Sequence, residues 1–378
     1  METFIALITV IVGIVVSGIG LFLVFGFLFA GFIALFVYWW KQIHLSLHLV
    51  RIPQNPVLEP DPTHWWESEA VFNPAALYEG GRVHLLYRAL GQDGISRIGY
   101  ASSADGVHFE RLPYPVFEFH QNAVTDRRRQ YGPLTYHPGL YASGGGWAGS
   151  EDPRAVNVDG TVYMTFTAFQ GWDSARIGLT STSLQDFLKQ RFAWRAPALI
   201  SPPGEVHKNW LLFPEKINGK YAVLNSVAPK ISIEYVDNLD DLDDPDVYLK
   251  SPGRSGGRKG HWDSEVRGAG APPLKTKEGW LLFYHANGYN VGVMLLDLHD
   301  PTKILYRSNY PVLQAKEWYD NDWKQGVTYA SGAVVVGDNL IVYYGGGDKR
   351  IAAARANLRD FLRQLATGEH ATLEPVKI

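Results

Sequence analysis

The residues able to do chemistry recur at the ends of short apolar runs. Asn73 opens one such run and Arg88 closes the aromatic stretch that follows it, while Glu151, Asp152 and Arg154 open a second segment built the same way. Lys208 and Lys216 flank a third, Asp263, Arg267 and His285 belong to a fourth, and Asp348 closes a fifth. Together these positions bring carboxylic acids and several cations into one candidate set. Each residue alone has an ordinary structural use. Arg88 or Arg154 could pair a structural carboxylate, His285 after Phe283-Tyr284 could be a hydrogen-bonded core residue, and Asp152 before Pro153 could start a turn. Their recurrence at equivalent places makes them one candidate site.

The elements that must position them follow from the recurrence. A short apolar strand, a polar or glycine turn and a strongly apolar strand return five times, over Asn73–Arg88, Asp152–Phe166, Leu212–Leu224, Ala271–Tyr284 and Gly332–Tyr344. A further strand trails most of them: Arg97-Ile-Gly-Tyr-Ala101, Arg176-Ile-Gly-Leu-Thr180, Asn290-Val-Gly-Val-Met294 and Arg350-Ile-Ala-Ala-Ala354, with the divergent Ile231-Ser-Ile-Glu-Tyr235 in the third. Pro115-Val-Phe117 and Pro311-Val-Leu313 add a fourth element, echoed by Pro56-Val-Leu58. Five such units predict an all-β, five-bladed β-propeller, whose inner strands would converge on a shared funnel. A pair of β-sandwiches competes, but sandwiches do not require this internal similarity. Only Asn357–Leu365 reads as helix, with Leu358, Phe361, Leu362 and Leu365 on one face.

Composition narrows the function classes. The net charge of −3 supplies no basic face for nucleic acid, and the absence of cysteine excludes disulfides, thiolate metal sites and a cysteine nucleophile. No metal site is expected: the acidic stretch Asp237–Asp246 lacks the glycine and terminal glutamate of a calcium loop and reads as a solvated turn.

The N-terminus is of a different character. Thr3 to Trp40 contains no charged residue and no histidine. As one helix it would reach roughly 57 Å, against roughly 30 Å for the hydrocarbon layer, so a break is expected at Ser17-Gly18-Ile19-Gly20, with Leu21–Trp40 as a full crossing. The division expected is a transmembrane anchor over 1–41, a linker over 42–53, the propeller over 54–366 and a tail over 367–378. Lys41 and Arg51 favour a cytoplasmic catalytic domain on a bilayer anchored through residues 3–40.

Ser150-Glu-Asp-Pro-Arg154, Asn209-Trp-Leu-Leu-Phe-Pro-Glu-Lys216, Pro272–His285, Leu296–Lys303 and Tyr343-Tyr-Gly-Gly-Gly-Asp348 resemble the motifs of glycoside hydrolase family 130, in order, over about Asn55–Leu362. The resemblance implies a five-bladed propeller and inverting phosphorolysis of β-mannosides to mannose 1-phosphate. Inorganic phosphate would be the co-substrate, an oligosaccharide the substrate, and no cofactor would be needed. It implies Asp152 as general acid, acting through a sugar hydroxyl, and Arg88, Arg154, Lys208 and His285 around phosphate. Asn73, Glu151, Asp263 and Asp348 would contact the sugar. An inverting hydrolase is the alternative, for which Glu215, Asp263 or Glu265 would supply the second carboxylate about 6.5–9.5 Å away. A non-catalytic carbohydrate-binding propeller is another, and a homo-oligomer is compatible with any of these. Two departures from the family stand out: Val223-Leu-Asn-Ser-Val227 lacks a basic residue, and Asp126–Gly146 is an insertion that would form a lid or a solvated loop.

Overall fold

Each repeated segment folds as an antiparallel meander, and the repeated glycine explains how. Tyr87 faces Gly99 across the strands, Phe166 faces Gly178 and Tyr284 faces Gly292. A Cβ on these glycines would fall 2.4, 2.3 and 2.4 Å from the facing ring, so the aromatic side chain lies flat over bare backbone. The Ile-Gly and Val-Gly dipeptides of the sequence are therefore seats for the preceding aromatic strand.

The computed structural model describes residues 1, 5–9, 25–37, 47–119, 144–170, 175–252, 256–367 and 371–372. The chain divides into two units, Met1–Ser46 and Leu47–Ile378. In the second, β1 (Val50–Arg51) comes first, within the stretch read as a linker. The first meander is β2 (Ala70–Glu79), β3 (Arg82–Leu90), β4 (Ile95–Ser103) and β5 (Glu110–Arg111). The second is β6 (Ala148–Val158), β7 (Thr161–Phe169) and β8 (Ala175–Ser183), then helix α1 (Leu184–Leu188) and β9 (Ala198–Leu199). The third has only β10 (Leu211–Leu212), β11 (Tyr221–Ser226) and β12 (Ser232–Val236). The fourth is β13 (Val266–Ala269), β14 (Leu274–Lys275), β15 (Trp280–Ala286), β16 (Asn290–Leu296) and β17 (Ile304–Ser308). Pro272-Pro273 separates β13 from β14, because proline has no N–H for the ladder. The fifth is β18 (Thr328–Val336), β19 (Asn339–Gly346) and β20 (Arg350–Asn357), followed by α2 (Leu358–Ala366), capped by Asn357. A last strand, β21 (Ala371–Thr372), pairs with β17.

The structure is all-β with few helices. β4 and β6 pair in parallel through Ile95–Ala148 and Ser96–Gly149, which joins the first two meanders into one sheet. Hydrophobic clusters lie between successive meanders. Leu86 and Ile98 pack on Met164 and Phe166, Val156 and Ile177 on Leu212 and Val223, and Leu211 and Leu224 on Trp280 and Leu282. Phe283 and Val293 then pack on Val342 and Tyr344, and Tyr343 and Ala353 on Leu85 and Tyr87, so the fifth meander returns to the first. β1 completes the fifth sheet by pairing with β20, and Arg51 donates to Asp320 Oδ2 at 2.6 Å.

The expectation of a membrane-anchored protein is corrected. Among the described residues no helix is long and apolar enough to cross a membrane. The helical stretches described before Leu47 are 5–9 and 25–37. The expected break at Ser17–Gly20 lies outside the described residues, as does most of the Asp126–Gly146 insertion. The acidic stretch forms a 3-10 turn, Leu239–Asp243, with Leu239 and Leu242 buried and Asp240 and Asp243 paired with Arg195.

Candidate active site

Two bulges bring the acid and its first partner together. Pairing of β2 with β3 skips between Phe72 and Ala75, and pairing of β6 with β7 skips between Glu151 and Arg154. Each skip holds an Asx-Pro dipeptide, Asn73-Pro74 and Asp152-Pro153. Proline cannot continue the ladder, and Asn73 and Asp152 adopt positive φ, 48° and 49°, which Asn and Asp tolerate better than most residues. The Asn73 side-chain amide donates to Asp152 Oδ1 at 2.7 Å. Gly345 makes room for this pair, since a Cβ there would lie 2.1 Å from Asn73 Oδ1.

Asp152 opens into a cavity of about 310 Å³ that Asn73, Arg88, Lys208 and Asp348 also line. Behind it Glu151 is fully buried, accepting from Arg88 Nη2 at 2.9 Å through one oxygen and from Lys208 Nζ at 2.8 Å through the other. Arg88 Nη1 lies 3.4 Å from Asp152 Oδ1, its Nε donates to Ser96 Oγ, and its guanidinium lies over the Phe72 ring. Gly144, at the end of the insertion, lines the same cavity; a Cβ there would lie 2.9 Å from Phe72 and 3.2 Å from Arg88 Nη1. Another wall is built on Tyr289, whose ring carries Arg267 at 5.1 Å and Lys324 Nζ at 4.9 Å. Lys324 also pairs with Asp348 at 3.1 Å.

The electrostatics of Asp152 are a contest. Burial opposes its ionisation, but Arg88, Lys208 and Arg154, with the Asn73 hydrogen bond, outweigh burial and hold the carboxyl below its ordinary value. Asp152 is therefore ionised at neutral pH. Arg154, expected around phosphate, is buried, donates Nη1 to the Asp152 carbonyl oxygen at 2.6 Å and Nη2 to the Tyr329 hydroxyl at 2.9 Å, and is not among the residues that line the cavity.

His285 is also placed differently. It is fully buried and stacked 4.3 Å from Tyr329, and burial, then the charge of Arg154, depress its pKa to about 3. The imidazole is therefore neutral and sits behind Tyr329. Asp263 lies away from the cavity lining, held by Arg258 Nε at 2.9 Å, Arg307 Nη2 at 2.7 Å and the Tyr284 hydroxyl at 2.7 Å, which makes it a buried tie within the fourth sheet. Lys216 pairs with Asp159 instead. The site thus unites Asn73, Arg88, Asp152, Lys208 and Asp348, sets Glu151, Arg154 and His285 behind them, and leaves Asp263 and Lys216 outside. Sequence reasoning left out Asn209, Tyr289, Lys324 and Tyr329, which also line the cavity; Arg267 and Glu265, weighed as candidates, do so as well. Asn209 and Tyr289 carry positive φ, 66° each, but no repeated dipeptide marks them.

Residues 136–366 match a family model described as beta-1,4-mannooligosaccharide phosphorylase. A 1,2-beta-oligomannan phosphorylase of Thermoanaerobacter sp. is 37% identical over 329 residues, 83% of this chain and 99% of that protein. A beta-1,2-mannobiose phosphorylase of the same organism is 36% identical, over 81% of this chain and 96% of that protein. Among solved structures, the beta-1,2-mannobiose phosphorylase of Listeria innocua in complex with beta-1,2-mannobiose matches with a TM-score of 0.61 at 25% identity. The match covers 84% of this chain and 99% of that one.

Proposed function

The chain belongs to glycoside hydrolase family 130, and from that premise we propose that it is an inverting phosphorylase of β-1,2-mannosides, releasing mannose 1-phosphate. The observation that carries this reading is Asp152 in a cavity that Arg88, Lys208 and Arg267 also line, an acid together with the cations that a phosphate needs. Phosphate is already a nucleophile, so the protein need only hold its charge and protonate the leaving group.

In this reading Arg88 and Lys208 meet the phosphate, and Arg267 adds a guanidinium from the Tyr289 wall. A phosphate oxygen attacks the anomeric carbon, the bond to the leaving sugar oxygen breaks, and the Asp152 proton ends on that oxygen. Asn73 and Asp348 position the mannosyl unit. Arg154 and His285 act from behind, fixing the Asp152 backbone and Tyr329. The phosphate dianion would offset the cations that depress Asp152, leaving burial to raise its proton affinity when the acid is needed. We read the five meanders as five propeller blades and Leu47–Ala366 as the catalytic unit, because β1 belongs to the fifth sheet.

The β-1,2 linkage rests on the names of the relatives at 36–37% identity, against the β-1,4 description of the family model. Incubation with phosphate and either β-1,2- or β-1,4-mannobiose tests it. Faster release of mannose 1-phosphate from the β-1,2 disaccharide is expected, and preference for the β-1,4 isomer would overturn the linkage.

A further inference from the structure

Glu151 and Asp152 are neighbours with different fates. The bulge begins between them, so Asp152 reaches the cavity while Glu151 stays in regular register opposite Thr167, with no exposed surface. A fully buried carboxylate with no face to the cavity can touch neither sugar nor phosphate. Both of its oxygens are engaged by cations that do line the cavity.

We propose that Glu151 is a positioning residue: one carboxylate oxygen holds Arg88 and the other Lys208, which ties the two cations into one arch and limits how much of their charge falls on Asp152. The proposal rests on the phosphorylase reading. The charged and titratable groups that face Asp152 come from several elements: Arg88 from β3, Lys208 ahead of β10, and Arg154 on β6 itself. His285 on β15 and Tyr329 on β18 also face it, and Asp348 beyond β19, Glu265, Arg267 and Lys324 line the same cavity. Glu151 is in direct contact with both Arg88 and Lys208. With it gone, their charge acts on Asp152 with less opposition, and Asp152 becomes harder to protonate. The alkaline limb of the pH–rate profile, set by loss of the general acid's proton, must then move to lower pH.

The experiment compares wild type, Glu151→Gln and Glu151→Asp for kcat/KM against pH, and follows the Asp152 carboxyl carbon by NMR titration in the unliganded proteins. The Gln variant is expected to shift the alkaline limb and the NMR titration to lower pH by roughly half a unit or more. The Asp variant keeps the charge but not the reach, so it retains the wild-type limb with a severalfold higher KM for phosphate. A Gln variant that loses turnover and thermal stability with an unmoved limb and titration would make Glu151 a purely structural residue. If Glu151→Gln does not fold, the Asp variant decides: an unchanged phosphate KM overturns the arch. A wild type without phosphate-dependent activity would sink the phosphorylase reading instead, and the NMR titration would still test Glu151.

Discussion

Asp152 and His285 show how position in this fold sets proton affinity. Both are buried, yet Asp152 is held ionised by three cations while His285, behind Tyr329 and beside Arg154, is kept neutral. Asp152→Asn retains the shape and removes the transferable proton, so turnover should fall by about 10²–10⁴-fold in steady-state assays with little change in sugar binding. His285 takes up a proton near pH 6.5 when unfolded but only near 3 when folded, so its contribution to stability is whole above 6.5 and lost as pH falls toward 3. Replacing it with Phe should flatten the decline of melting temperature between those values; an unchanged slope would deny that His285 is neutral. Asp152 was legible because its Asx-Pro signature repeats at Asn73. The surroundings of His285 and Asp263 were not legible, because β15 is buried on both faces, leaving no alternation to read, and because Arg258 and Arg307, the partners of Asp263, carry no signal that they converge.

At the scale of elements, the glycine seats and the Asx-Pro bulges are what the sequence repeats encode. Gly99→Ala would press a methyl group into Tyr87 and Gly178→Ala one into Phe166. Overpacking of this kind costs about 1–3 kcal/mol, which chemical denaturation should register for each variant. A variant as stable as wild type would show that the ring seat is not needed. The hairpins and third strands were readable because facing residues recur in register. The wall built on Tyr289 was not. Lys324 comes from the loop after the 3-10 turn Trp318–Asp320, and it is set by a backbone hydrogen bond from its N–H to the Gly347 carbonyl rather than by strand periodicity.

Across the whole catalytic unit, the fifth sheet takes in a strand two residues long from ahead of the first meander. Val50–Arg51 pairs with β20, and Arg51 reaches the fully buried Asp320 and the Tyr344 hydroxyl. Removing residues 1–46 should leave a protein that melts cooperatively near the full-length value. Removing 1–53 strips β1 and leaves Asp320 without Arg51, a loss of about 3–5 kcal/mol for a broken buried pair. Equal melting temperatures for the two truncations would contradict a structural role for β1. The apolar N-terminal stretch was readable as composition, but composition alone did not establish a spanning helix. The central claim, that this cavity uses phosphate to cleave β-mannosides with inversion, is tested most directly by proton NMR of the anomeric region during reaction with β-1,2-mannobiose, with and without inorganic phosphate. The account predicts α-mannose 1-phosphate as the first product, formed only with phosphate; free mannose appearing at the same rate in its absence would contradict it.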